Sequence, residues 1–103
     1  MDKPTIIING KEIEMQTPKA RLWREIVKFN DERRDLPVED FCNEHAKIIA
    51  AAFGVTADEV LDNLYVDDIM PTYFKVFSFV LGMLTAKLSI DKKNILEGVT
   101  AQT

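Results

Sequence analysis

Phe74-Lys75-Val76-Phe77-Ser78-Phe79-Val80-Leu81-Gly82-Met83-Leu84 decides how this chain folds. Its apolar residues recur at helical spacing. Phe74, Phe77, Leu81, Leu84 and Leu88 share one stripe, and Tyr73, Val76, Phe79, Val80 and Met83 widen it. Only Lys75, Ser78, Gly82, Thr85 and Ala86 lie opposite. A surface helix needs an apolar stripe of ~100°, and this one covers roughly twice that. It is therefore either the central helix of the domain or a helix with surface reserved for another chain. Hiding five extra large side chains is worth about 8–15 kcal/mol gross, comparable to the net stability of a whole domain, so something must cover them. The expected division assigns Phe74, Phe77, Leu81 and Leu84 to the core, and Val76, Phe79, Val80 and Met83 to contact with another chain. Ser78, Gly82 and Ala86 add a row of small residues, a common feature of soluble helices.

Charge spacing argues against a membrane span. Between Lys75 and Lys87 lie eleven uncharged residues, about 16 Å at the helical rise, against the roughly 30 Å of a bilayer core. Met1-Asp2-Lys3-Pro4 has neither the charged nor the apolar region of a signal peptide. Lone Cys42 can form no internal disulfide. A cytoplasmic, soluble protein is the expectation.

Upstream, the chain punctuates itself. Thr5-Ile6-Ile7-Ile8, Asn9-Gly10 and Lys11-Glu12-Ile13-Glu14-Met15 read as a β-hairpin, with Asn-Gly supplying the two positive-φ residues of a type I′ turn. An isolated hairpin is marginal in water, so this one must lean on helices or on a neighbouring sheet edge. Thr17-Pro18 opens a first helix, with Thr17 as cap and Pro18 at the first helical position. Leu22, Ile26 and Phe29 form its inward stripe, widened by Trp23 and Val27; whether Trp23 faces core or partner stays open. Residues 30–35 are polar and read as a loop. Pro37 opens a second helix that runs to Phe53 and stops at Gly54, with Val38, Phe41, Cys42, His45, Ile48, Ile49 and Ala52 on one face. Thr56 and Glu59 make a capping box for a short third helix whose Val60, Leu61 and Leu64 point inward. Asp67 or Asp68 caps the fourth helix, Pro71 sits in its first turn, and the helix reaches about Leu88. The fold class is mainly α: four helices and an N-terminal hairpin in one domain over residues 1–88, then a flexible tail over 89–103.

Composition narrows function. The chain has 103 residues and a net charge of −4, which argues against general nucleic-acid affinity. The charge is nevertheless polarised: Lys19 to Arg34 holds six basic and three acidic residues, whereas Ala57 to Asp68 holds five acids and no base. The basic row Arg21, Arg24, Lys28 and the acidic residues Asp58 and Asp62 are candidates for a salt-sensitive, head-to-tail self-association.

Sites for chemistry are scarce. Cys42-x-x-His45 has metal-like spacing, but structural zinc needs four ligands and catalytic zinc three, and there is no second Cys or His. A half-buried core histidine is the better reading. Asp58, Asp62, Asp67 and Asp68 lack the glycine-bearing calcium loop and sit at helix starts, where carboxylates favour the positive helix end. Ser78 and Ser89 lie in no nucleophile elbow, and the four glycines stand singly, so no phosphate-cradling loop forms. The expectation is no enzyme, no cofactor, no metal and no small-molecule substrate.

The order of elements resembles a known family. A hairpin around Ile8-Asn9-Gly10-Lys11 precedes a helix beginning Pro18-Lys19-Ala20-Arg21. Next come Phe53-Gly54, then Val55-Thr56-Ala57-Asp58-Glu59-Val60-Leu61-Asp62-Asn63-Leu64, then one long apolar helix. Over Thr5 to Leu88 this is similar to the tail assembly chaperones of long-tailed bacteriophages and prophages, particularly those of Gram-positive hosts. A phenylalanine, a turn and a Thr-x-Asp-x-Val-x-Asp-like helix start recur there, matched here by Thr56, Asp58 or Glu59, Val60 and Asp62. The resemblance implies a non-enzymatic protein that coats the tape-measure protein in the cytoplasm of the host cell and keeps it soluble. It also implies help in recruiting tail-tube protein and absence from the finished virion. Some members also have a longer form made by frameshifting. The alternative is a homo-oligomeric structural or adaptor protein whose long apolar helix is a dimer core.

Overall fold

The computed structural model describes residues 3–87, so the tail expected at 89–103 and Leu88 lie outside the described residues. The chain is mainly α-helical: two strands, β1 (Thr5–Ile8) and β2 (Lys11–Glu14), precede α1 (Ala20–Glu32), α2 (Val38–Phe53), α3 (Ala57–Asn63) and α4 (Val66–Lys87).

The strands form an antiparallel hairpin in which Ile8 faces Lys11 and Thr5 faces Glu14. Its turn is the one the sequence demands, with Asn9 and Gly10 both at positive φ. The hairpin leans on helices. Ile6, Ile8 and Met15 are buried. The Gln16 N–H donates to the Ala52 carbonyl at 2.9 Å, and the Asn9 N–H donates to Asn63 Oδ1 at 2.8 Å. The hairpin is thus tied to the ends of α2 and α3.

α1 starts later than Thr17-Pro18 predicts. Its N-cap is Lys19, with extended backbone and no side-chain cap, and the Thr17 hydroxyl, two residues before it, accepts from Lys3 Nζ at 3.1 Å. It also runs three residues into the expected loop, to Glu32. Leu22, Ile26 and Phe29 are buried as their spacing predicts, whereas Val27 is exposed.

α2, not α4, is the hub: it packs against α1, α3 and α4. His45, Ile48, Ile49, Ala50, Ala52 and Phe53 are buried along it. Val38 and Cys42, expected on the same face, are exposed, while Phe41 between them packs against the core. Gly54 ends the helix in the left-handed region at φ 72°, and a Cβ there would collide with the Gln16 side chain. α3 opens on the full capping box: Thr56 Oγ1 accepts from the Glu59 N–H at 3.1 Å, and Glu59 Oε1 accepts from the Thr56 N–H at 3.0 Å. Its Val60 is buried, but Leu61, expected inward, is exposed.

α4 begins at Val66, with the Asp68 N–H donating to the Tyr65 carbonyl at 2.9 Å. Asp67 and Asp68 therefore lie inside the first turn and do not cap it. Pro71 falls one turn deeper than expected and leaves the Asp67 carbonyl without its usual donor. Val66–Ala86, at 21 residues and a mean hydropathy of 1.4, is long and apolar enough to cross a membrane by those measures alone. This corrects the span estimated from Lys75 to Lys87. Here one side of the helix packs into the core while Lys75 is exposed in its middle.

Candidate functional site

α4 presents two apolar rows, and their placement overturns most of the expected division. Tyr73, Val76, Phe79 and Val80 are buried. Val76, Phe79 and Val80, expected to meet another chain, belong to this chain's own core, and Met83 packs half-buried against it. Phe74 and Leu84, expected in the core, are exposed and Leu81 is half-buried, whereas Phe77 is half-buried and packs against the core as expected. The reason lies outside α4. The aromatic cluster of Phe29, Phe41 and His45 lies against Tyr73, with Tyr73 centroids 5.9 Å from Phe29 and 4.8 Å from His45. The Tyr73 hydroxyl donates to Asn30 Oδ1 at 3.0 Å. That anchor sets the rotation of α4 about its axis, and Val76 and Val80 follow Tyr73 inward.

The outward row is Met70, Phe74, Phe77, Leu81 and Leu84. It recurs at intervals of four, three, four and three residues, the heptad spacing at which an apolar seam stays aligned with a partner helix. It spans about 21 Å at the helical rise. A groove adjoins each end. At the first end a groove of about 310 Å³ is lined by Phe41, His45, Leu61, Leu64, Ile69 and Met70 among others. At the other end, a groove of about 540 Å³ lies between the start of α1 and the end of α4, lined by Pro18, Trp23, Val80, Met83 and Leu84 among others. Trp23 is half-buried, packing on the core edge and walling this second groove. Sequence reasoning overlooked Met70, although the four-three spacing running back from Leu84 marks it.

His45 is buried at the meeting point of α1, α2 and α4. Its Nδ1 lies 2.9 Å from the Phe41 carbonyl; a carbonyl only accepts, so Nδ1 carries the proton. Nε2 has no partner among the described residues. Burial depresses the imidazole pKa below 6.5, the hydrogen bond to Phe41 opposes this, and the Arg33 charge adds to the depression. Burial likewise raises the Tyr73 hydroxyl above its usual 10.0, with Arg33 opposing. Arg33 itself stacks on Phe41, 5.5 Å from the ring centroid. Cys42 is exposed. Among the described residues no three possible metal ligands come together.

The charged candidates sit on the surface. Arg21, Arg24 and Lys28 are exposed, as are Asp58 and Asp62. Arg24 pairs with its neighbour Glu25 at 3.5 Å. Among the described residues no ion pair joins the basic row to Asp58 or Asp62 within the chain. No family model, curated protein or solved structure matches the chain.

Proposed function

We propose that this protein is a non-enzymatic tail assembly chaperone. It binds helical, apolar segments of a tape-measure protein in the host cytoplasm, keeps them soluble, and helps bring tail-tube protein to them. The observation that supports this reading is the outward row of α4, an apolar seam with heptad spacing whose Phe74 and Leu84 are exposed and whose Met70, Phe77 and Leu81 are half-buried. A coiled-coil-like seam fits an α-helix laid along it, with Phe74, Leu81 and their neighbours as knobs between the client's side chains. The grooves beside Met70 and Leu84 extend the apolar track beyond the row, room for large side chains of the client. The identity of the client comes from the family resemblance alone.

The test is co-expression with a long, helix-rich protein of the tape-measure type, reading the client's solubility. The wild type should hold the client in solution. The double variant Phe74→Asp/Leu81→Asp should remain folded and lose it. If the wild type leaves the client insoluble, the chaperone reading fails; if the double variant works as well, the row is not the docking surface.

The same spacing also suits a second copy of α4. This favours the alternative, a homo-oligomeric structural or adaptor protein. An obligate dimer that resists dilution, dissolves on Phe74→Asp and captures no client would select it.

A further inference from the structure

The outward row of α4 does not begin on an apolar residue. Continued one step back from Met70 at its own four-three spacing, it reaches Asp67, three residues earlier and so on the same helix face. Asp67 is exposed, as are Asp68 beside it and Asp58 and Asp62 on α3. A carboxylate in the first turn suits the positive end of a helix, and Asp68 supplies one off the row; Asp67 places a charge on the seam itself. Among the described residues none of these four carboxylates takes a hydrogen bond or an ion pair. Arg33 stacks on the Phe41 ring and pairs with none of them.

The grooves at the two ends of the row are unlike. The one of about 310 Å³ is walled by Leu61 and Leu64 of α3 and by Val66, Ile69 and Met70 of α4, among others. Leu61 is exposed, and Val66 is 95% exposed. Asp67 follows Val66 and shares a helix face with Met70, so its carboxylate stands at the groove's rim. Apolar walls with carboxylates at the rim suit a lysine or arginine, whose aliphatic stem lies along apolar surface while its head stays near water. The groove at the Leu84 end is lined by Lys19 and by no acid, and Lys19 is exposed. Between the two, Asp68 is the last acid of α4 and Lys75 its next charge. The track is negative at its Met70 end and positive at its Leu84 end.

We infer that the helix docked on this seam carries a lysine or arginine at the end lying over Asp67, and that Asp67 fixes which way round that helix lies. The inference rests on the reading of the row as a client-docking surface and specifies the client's chemistry: an amphipathic helix, apolar along its seam and basic at one end. A single charged residue on an apolar seam sets register and orientation at some cost in stability. In the matched orientation the client's base meets Asp67, with Asp62 and Asp68 nearby. Reversed, the same base lies beside Lys19, and Asp67 is left against apolar surface without a partner. Like charge and an unpaired carboxylate both count against that arrangement. A client acidic at that end is repelled in the first orientation by the carboxylates themselves.

Synthetic helical peptides of about three heptads test it, with leucine along the seam and lysine, serine or glutamate at one end of it. Titrated against the whole chain, the lysine peptide should bind about fivefold tighter than the serine peptide, and the glutamate peptide about fivefold weaker. High salt should narrow that spread. Asp67→Asn should remove most of the lysine preference, and Asp67→Lys should turn it toward glutamate. A nitroxide at the lysine end of the peptide should broaden the amides from Val66 to Met70 and spare those around Leu84. Equal affinity for all three peptides, each lost on Phe74→Asp, overturns the inference and leaves the docking surface standing. A lysine preference that survives both Asp67 substitutions, or equal broadening at the two ends of α4, overturns it as well. If no peptide binds, or if the chain dimerises through Phe74 and excludes them all, the inference and the client-docking reading fall together.

Discussion

Tyr73 and Phe74 are consecutive residues on one helix, similar in size, yet Tyr73 is 1% exposed and Phe74 51% exposed. The same split runs down α4: Val76 and Val80 lie inside, while Leu84 lies outside. Both rows are apolar and both obey helical spacing. What separates them is a polar contact and an aromatic cluster, the Tyr73 hydroxyl on Asn30 and the rings of Phe29 and His45. A phenylalanine in place of Tyr73 would fill the same volume but could not reach Asn30 with a donor. In a helix apolar on so wide an arc, rotation is under-determined by hydrophobicity and is decided by such directional contacts. Phe74 and Leu84 then remain as apolar surface that the chain does not cover.

The contrast can be broken most directly by a charge on each row. Val76→Asp should abolish the cooperative unfolding transition, since an unpaired carboxylate in the core costs at least roughly 3–5 kcal/mol, a large part of a small domain's stability. Phe74→Asp should keep the thermal midpoint within a few degrees, a surface change of about 0.5 kcal/mol or less. Calorimetry on the pair decides it: equal unfolding of both variants would erase the distinction between rows.

A smaller effect probes the anchor. Tyr73→Phe removes the donor to Asn30 and should cost about 1 kcal/mol in urea unfolding. An unchanged midpoint would mean that the aromatic packing alone sets the rotation of α4.

The finest test uses pH. Burial makes His45 harder to protonate in the folded chain than in the unfolded one. Its contribution to stability is therefore complete above 6.5 and falls away as pH drops from there through the depressed folded value. Lowering the pH should loosen the junction beneath Tyr73, and His45→Phe should flatten that part of the stability curve. Equal slopes for wild type and variant across that window would show that His45 does not govern it.

Much of the architecture was legible from local chemistry. Asn9-Gly10 determined the hairpin turn, Thr56 and Glu59 the start of α3, and Gly54 the end of α2, because each is a backbone or capping requirement met within a few residues. Thr17 was misleading because the helix starts at Ala20, two residues beyond the position Thr17 could cap, and the Thr17 hydroxyl meets Lys3, fourteen residues earlier. Leu61 and Val38 were misplaced because periodicity marks an apolar residue but not whether another element packs over it, and both are exposed. For the candidate site, the excess of apolar surface on α4 and its heptad spacing were both present in the sequence, but the facing of each row was not.

The sequence by itself determined which segments are helical and that one of them carries more apolar surface than a single core can use. Those are properties of periodicity and composition, written residue by residue. Only the tertiary structure decided that Tyr73, Val76 and Val80 close the domain while Phe74, Leu81 and Leu84 lie on its outer side. That choice depends on what stands across from the helix: Asn30, Phe29 and His45 come from two other helices, and no window along α4 contains them.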